Sequence, residues 1–242
     1  MKVSEKINLS KLELMEHGPI NIVAFGDSIT HGALGTGEVE FETAYWNRLG
    51  KMLHQVRNYM PINMINAGIG GATAKDSLTR MESQVFAHNP DLIIICFGLN
   101  DVNLELDDYL EPLKIMFNKC LEKQIDTIFM TPNMLNTYVA ADTSRTYWEY
   151  AHKTAEMQNN GRMDTYIYTA KKLAESLGIT VCDCYSCWKE LAKTKDTTMM
   201  LANRINHPTA EMHALFAEEL FKCILAEKPR TVADQSSTMY LN

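Results

Sequence analysis

The residues best suited to chemistry lie in four short segments of the sequence. GDSIT contains the hydroxyl of Ser28, and GIGGAT exposes backbone N–H groups around Gly71. GLND contains the carboxamide of Asn100, and NHP contains the imidazole of His207. A nucleophile, a base and hydrogen-bond donors for a developing oxyanion are the parts that covalent acyl transfer requires.

Each of these residues also has a purely structural interpretation. Asp27 and Ser28 are residue types that start helices, Gly71 can shape a tight turn, and Asn100 can form an Asx turn. His207 can lie exposed where a loop meets a helix. Three of the four segments nonetheless directly follow apolar runs, and their joint occurrence in one order favours catalysis.

Five apolar runs predict the strands that would position these residues. Continuous apolar runs are typical of parallel strands covered on both faces. The runs are INIVAF (20–25), INMINA (62–67), LIIICF (92–97), TIFMTP (127–132) and ITVCDC (179–184). Segments with helical spacing separate them, which predicts a three-layer α/β/α sandwich with a five-stranded parallel sheet and right-handed crossovers. Ligands bind such a sheet at the carboxyl ends of its strands, where Ser28, Gly71 and Asn100 fall.

Two segments lie outside this alternating pattern, although all 242 residues are expected to form one domain. Residues 133–160 are too long for an ordinary connection and predict an insertion above the strand ends, partly helical over 143–157. The polar tail 228–242 is predicted to be disordered or bound to a partner subunit in a homo-oligomer. The aromatic residues of the insertion either line a substrate pocket or pack within it: Tyr138, Tyr147, Trp148 and Tyr150.

Two predicted helix starts bear on the chemistry. Ser28 at a helix start would have its Oγ beside free N–H groups, which favour an alkoxide-like transition state. Pro208 suits the first position of the last helix. His207 would then lie beside a helix N-terminus, where the partial positive charge keeps the imidazole neutral.

Composition argues against several other classes of protein. The net charge of −7 and the absence of a Lys/Arg cluster argue against a nucleic-acid partner. Charges spread through the first 19 residues indicate neither a signal peptide nor a membrane anchor, so a cytoplasmic location is expected.

The cysteines of VCDCYSCW form one CxxC pair without a second, which favours buried reduced thiols over zinc. GDSITHG is a poor phosphate-binding loop, which argues against a flavin cofactor.

With its four segments in this order, the chain resembles the SGNH/GDSL hydrolase superfamily of serine esterases, which have a flavodoxin-like α/β/α fold. The resemblance covers residues 20 to about 227. It implies that Ser28 is the nucleophile and that His207 is the general base. It also implies an oxyanion hole formed by the N–H groups of Ser28 and Gly71 and the Asn100 side chain. With the zinc and flavin interpretations disfavoured, no metal or cofactor is expected. The rival G-x-S-x-G elbow is absent, because Thr30 replaces its second glycine.

One position departs from the family pattern. The family commonly has an Asp three residues before the histidine, where this chain has Arg204. Such an Asp fixes the histidine tautomer and stabilises the imidazolium. Either Asp183 replaces it, or a backbone carbonyl in loop 203–206 accepts from Nδ1, or catalysis has been lost. The carbonyl is favoured, because relatives with the same NHP form are regarded as hydrolases. His31 is a less favoured rival base.

These observations predict a serine esterase that removes a small acyl group, preferably acetyl, from a small-molecule ester such as a carbohydrate ester. Lysophospholipase or thioesterase activity is the alternative, because strand ends and the insertion, rather than the fold, set specificity. The sequence lacks an apolar amphipathic lid segment, which argues against action at a lipid surface. A non-catalytic ligand-binding module is the second alternative, and Arg204 motivates it.

Overall fold

The computed structural model describes residues 2–35 and 37–226, which fold around a five-stranded parallel sheet. The strand order is β2-β1-β3-β4-β5, as in flavodoxin-like folds, and every pairing is parallel. The predicted fold is confirmed, and each strand ends within two residues of its predicted limits. The strands are β1 (Ile20–Gly26), β2 (Ile62–Gly68), β3 (Leu92–Cys96), β4 (Asp126–Met130) and β5 (Thr180–Cys182).

Helices flank the sheet, with α4 against α11 and α7 against α9. Within the described residues the helices are α1 (Val3–Lys6), α2 (Lys11–His17), α3 (Ser28–His31), α4 (Tyr45–Val56), α5 (Ala74–Ser77), α6 (Met81–Gln84), α7 (Leu106–Glu122), α8 (Trp148–Asn159), α9 (Arg162–Ser176), α10 (Cys184–Ala192) and α11 (His213–Ala226). None of these helices is both long enough and apolar enough to span a bilayer.

The core lies on both faces of the two central strands. Every residue of β3 is buried, and so is nearly every residue of β1, because helices cover both faces there. Phe25 and Phe97 meet edge to face with ring centroids 5.3 Å apart. Strands β2 and β5 lie at the sheet edges and are only partly buried, so the prediction of full coverage holds for the central strands.

The predicted start of the last helix is wrong. Helix α11 begins at His213, five residues after Pro208. Pro208 instead forms an antiparallel bridge with Leu201, and the N–H of Ala202 donates to the carbonyl of His207 at 2.7 Å. The backbone around Pro208 is therefore engaged in a closed turn, which a helix would break. His207 does not lie at a helix N-terminus.

Residues 133–160 are partly helical, as predicted. A short 3₁₀ turn (Arg145–Tyr147) precedes α8, and residues 133–144 have little regular structure. The predicted tail 228–242 lies outside the described residues.

Candidate active site

Ser28 is the first residue of α3 and is buried. Asp27 caps this helix, its Oδ1 accepting from the N–H of Ile29 at 2.9 Å. A Cβ on Gly26 would lie 2.6 Å from the backbone oxygen of Cys96, so only glycine lets the turn pack this closely against β3. Ser28 thus starts a helix and also faces a pocket, which satisfies both interpretations of GDSIT.

Gly71 and Asn100 follow strands β2 and β3, which lie on either side of β1. Gly71 has φ +78°, a backbone conformation that glycine adopts without strain. The Asn100 Nδ2 donates to the carbonyl of Ala72 at 3.0 Å, and Asp101 Oδ1 accepts from the N–H of Ala74 at 2.8 Å. These bonds connect the two segments, so the backbone near Gly71 and the Asn100 side chain keep a fixed relation.

One pocket of about 850 Å³ brings the four predicted site residues together. Ser28, Gly71, Asn100 and His207 all line it, and so does the rival base His31. The insertion supplies further lining residues, which are Asp142, Ser144, Thr146, Tyr147 and Tyr150.

The four aromatic residues of the insertion divide between the two predicted roles. Tyr147 and Tyr150 line the pocket. Tyr138 instead donates to Asp196 at 2.6 Å, and the indole N–H of Trp148 donates to the carbonyl of Thr143 at 2.9 Å.

His207 is oriented by a backbone carbonyl. Its Nδ1 lies 3.1 Å from the oxygen of Leu34, and donation from Nδ1–H leaves Nε2 with a free lone pair. Leu34 belongs to the loop after α3, which an Ala33–Val39 bridge closes. Burial lowers the pKa of His207, and the bond to Leu34 opposes that effect. The imidazole is therefore neutral near pH 7 because it is desolvated, and the predicted helix terminus plays no part.

The prediction that a backbone carbonyl in loop 203–206 accepts from His207 Nδ1 is wrong, because the acceptor is the carbonyl of Leu34. The carbonyls of Ile205 and Asn206, inside loop 203–206, accept from the backbone N–H of Asn136 and from Asn133 Nδ2. Their orientation toward the insertion leaves Leu34 as the partner of Nδ1.

Arg204 and Asp183 are both occupied elsewhere. Arg204 pairs with Asp142 at 3.0 Å and donates to the carbonyl of Leu201 at 2.6 Å. Asp183 caps α10 through Ser186 and forms an ion pair with Lys171, so it does not replace the missing carboxylate.

Two buried carboxyl groups lie beneath the site. Burial raises the pKa of Asp27 to about 7 and that of Asp101 to about 6. Hydrogen bonds from the Ile29 and Ala74 amides oppose these shifts without cancelling them. The second oxygen of each carboxyl is buried without a hydrogen-bond partner, so much of the Asp27 population is protonated near neutral pH.

The described residues contain no cluster of three or more His, Cys, Asp or Glu side chains suited to a metal ion. Cys182 and Cys184 are buried with their sulfurs 3.6 Å apart, as expected for thiols at a strand end.

Sequence reasoning missed two groups around His207. The Leu34 carbonyl has no sequence signature, because every residue carries one. Asn203, whose side chain bonds to the backbone of the His207 loop, could have been found from the NRIN pattern typical of an Asx motif.

Comparisons with known proteins identify relatives of this chain. A family model described as GDSL-like Lipase/Acylhydrolase family matches residues 24–215. An acetylxylan esterase from Geobacillus stearothermophilus is 27% identical over 227 residues, covering 83% of this chain and 92% of the relative.

Solved structures share the fold. The crystal structure of Axe2, an acetylxylan esterase from the same organism, superposes with a TM-score of 0.66 at 24% identity, covering 85% of this chain and 94% of that one. LAE5, an alpha/beta hydrolase from the metagenome of Lake Arreo, superposes with the same TM-score at 20% identity and the same coverage. The predicted resemblance is confirmed.

Proposed function

The chain belongs to the GDSL-like lipase/acylhydrolase family, and from that premise we propose that this serine ester hydrolase removes acetyl groups from carbohydrate esters. The acetylxylan esterase that is 27% identical along most of both chains supports the acetyl group and the sugar. The observation that carries the mechanism is that the pocket holding Ser28, Gly71 and Asn100 also holds a His207 oriented through Nδ1.

The proposed reaction begins with Ser28 Oγ attacking the acetyl carbonyl carbon while His207 Nε2 takes the hydroxyl proton. The carbonyl oxygen becomes an oxyanion, which the N–H groups of Ser28 and Gly71 and the Asn100 Nδ2 stabilise. As the carbon–oxygen bond to the sugar breaks, His207 returns the proton to the leaving alkoxide. Water then attacks the acetyl-serine in the same way and releases acetate.

The Leu34 carbonyl takes part of the role that a carboxylate has in a Ser-His-Asp triad. It holds the imidazole in the tautomer with a proton on Nδ1, which makes Nε2 the base. A neutral carbonyl stabilises imidazolium less than a carboxylate does, so a Ser-His dyad with a base of low pKa is the expected arrangement. This acceptor is the argument against the non-catalytic alternative.

The pocket supports a carbohydrate rather than a long acyl chain. At about 850 Å³ it is within the usual range for ligand pockets and has room for much more than an acetyl group. Its wall carries side chains able to hydrogen bond to sugar hydroxyls, including Asp142, Ser144 and Thr146, with Tyr147 and Tyr150 as flat surfaces.

A cytoplasmic location and a homo-oligomer stay predictions. The buried thiols of Cys96, Cys120, Cys182 and Cys184 support the reducing compartment.

The test compares hydrolysis of p-nitrophenyl acetate, p-nitrophenyl octanoate and acetylated xylo-oligosaccharides by wild type, Ser28→Ala and His207→Ala. Ser176→Ala and His17→Ala remove the same residue types from exposed positions outside the pocket and serve as matched controls. We expect wild type and both controls to release acetate, with both site variants at background. Preference for octanoate would contradict the acetyl assignment, and activity in Ser28→Ala would contradict the mechanism.

A further inference from the structure

One side chain organises the backbone that carries His207. The Oδ1 of Asn203 accepts from the backbone N–H groups of Ile205, Asn206 and His207, each at 3.0 Å. Its Nδ2 donates to Asn206 Oδ1 at 2.8 Å. Arg204 lies within this turn at φ +61°, a conformation that a long side chain seldom adopts. The Asn203 bonds therefore stabilise a turn that the intervening residue does not favour.

The insertion holds the same turn from the opposite side. Asn133 Nδ2 donates to the carbonyl of Asn206 at 2.8 Å, and the backbone N–H of Asn136 donates to the carbonyl of Ile205 at 2.9 Å. Asn133 and Asn136 are both fully buried. The amides of the turn thus face Asn203 while its carbonyls face the insertion, and His207 extends from a backbone bonded on both sides.

The position of the His207 imidazole depends on the backbone, because the ring itself makes few hydrogen bonds. Among the residues that the structure describes, the ring has one hydrogen-bond partner, the neutral carbonyl of Leu34 on a separate loop. A single bond of this kind orients the ring without fixing its distance from the reacting atoms. That distance is set by the His207 backbone, whose N–H bonds to Asn203 and whose carbonyl accepts from Ala202 at 2.7 Å.

We propose that Asn203 is a positioning residue for the hydrolytic reaction, and that it places the His207 imidazole by holding the three amides of the turn. The inference rests on the proposed function, since it takes His207 as the base. Asn203 acts through the loop backbone, which partly offsets the absence of a carboxylate on Nδ1. A displacement of about 1 Å in a reacting group can cost on the order of 100-fold in rate.

The experiment measures kcat, KM and the pH profile for p-nitrophenyl acetate in Asn203→Ala and Asn203→Asp. Asn203→Ala removes the acceptor, and we expect kcat to fall by about 10- to 100-fold while KM changes little. Asn203→Asp keeps an oxygen for the amides, and Asn206 can rotate its carboxamide to donate to it. We expect the Asp variant to retain kcat within a few fold and to move the acid limb to higher pH, because a carboxylate near His207 favours imidazolium.

Asn160→Ala is the matched control, since Asn160 also accepts from a backbone amide, that of Arg162 at 3.0 Å, but lies outside the pocket. Unchanged kcat in a folded Asn203→Ala, with His207→Ala inactive, would overturn the inference and leave the proposed function intact. Full activity in His207→Ala would instead overturn the proposed function. If Asn203→Ala does not fold, Asn203→Asp decides alone, and a folded Asp variant that loses kcat as completely as His207→Ala would refute the positioning role.

Discussion

Replacing Asp27 with Asn should change how the free energy of unfolding depends on pH. Asp27 is completely buried, and one of its oxygens has no hydrogen-bond partner. Asn keeps the oxygen that accepts from the Ile29 N–H and matches the shape of the protonated acid. The substitution therefore removes a titrating group with little change in packing.

The sign and the size of the effect follow from the raised pKa. The unfolded chain loses the Asp27 proton near the ordinary value of 3.8, whereas the folded chain holds it until about pH 7. Between these values the folded state binds more protons, so the Asp27 contribution to stability falls as pH rises through this window. At about 1.36 kcal/mol per pKa unit the whole effect is roughly 4 kcal/mol, of which roughly 2 to 3 kcal/mol falls between pH 5 and pH 8.

Urea unfolding of wild type and Asp27→Asn at several pH values from 5 to 8 measures this effect. Other groups contribute to the same pH dependence, including His213, whose pKa burial lowers from the ordinary value of 6.5 to about 3. They are common to both proteins, so the difference between the two free energies isolates Asp27. We expect this difference to shift in favour of the variant by roughly 2 to 3 kcal/mol from pH 5 to pH 8. The exposed Asp107→Asn is the control, and a constant difference for Asp27→Asn would refute the reasoning.

The pH profile and the glycine at the end of β2 give two further predictions. The acid limb of kcat/KM for p-nitrophenyl acetate should lie below pH 6.5, because burial lowers the pKa of His207, and a limb above that value would contradict its assignment as the base. Gly68→Ala should lower the free energy of unfolding by about 1–3 kcal/mol, since its Cβ would lie 2.2 Å from the His31 backbone nitrogen. Gly70→Ala meets only His31 Nδ1 at 3.7 Å and is the matched control. Equal urea midpoints for the two variants would refute the steric argument.

The strands were predictable because burial on two faces demands continuous apolar residues. LIIIC in β3 is buried throughout, and hydrophobicity alone indicates it. The helix start at Pro208 was not predictable in the same way. Proline fits the first turn of a helix and also fits a bridge at a turn, and the choice here depends on long-range pairing with Leu201.

The candidate site was predictable where side chains do the chemistry. Ser28, Gly71, Asn100 and His207 were chosen by residue type and their place after strands, and one pocket brings them together. The partner of His207 was not predictable, because a backbone oxygen can come from any residue and only the folded loop reveals Leu34.

The main-chain origin of that acceptor has an evolutionary consequence. A carboxylate that orients a histidine can be deleted by one codon change, whereas every amino acid at position 34 carries the same carbonyl oxygen. In the mechanism proposed above, the orienting bond is therefore robust to point mutation at its own position and vulnerable to changes in the path of the loop, such as an insertion or a deletion between Ala33 and Val39. A substitution at position 34 changes the side chain, whereas the backbone oxygen that orients His207 is kept.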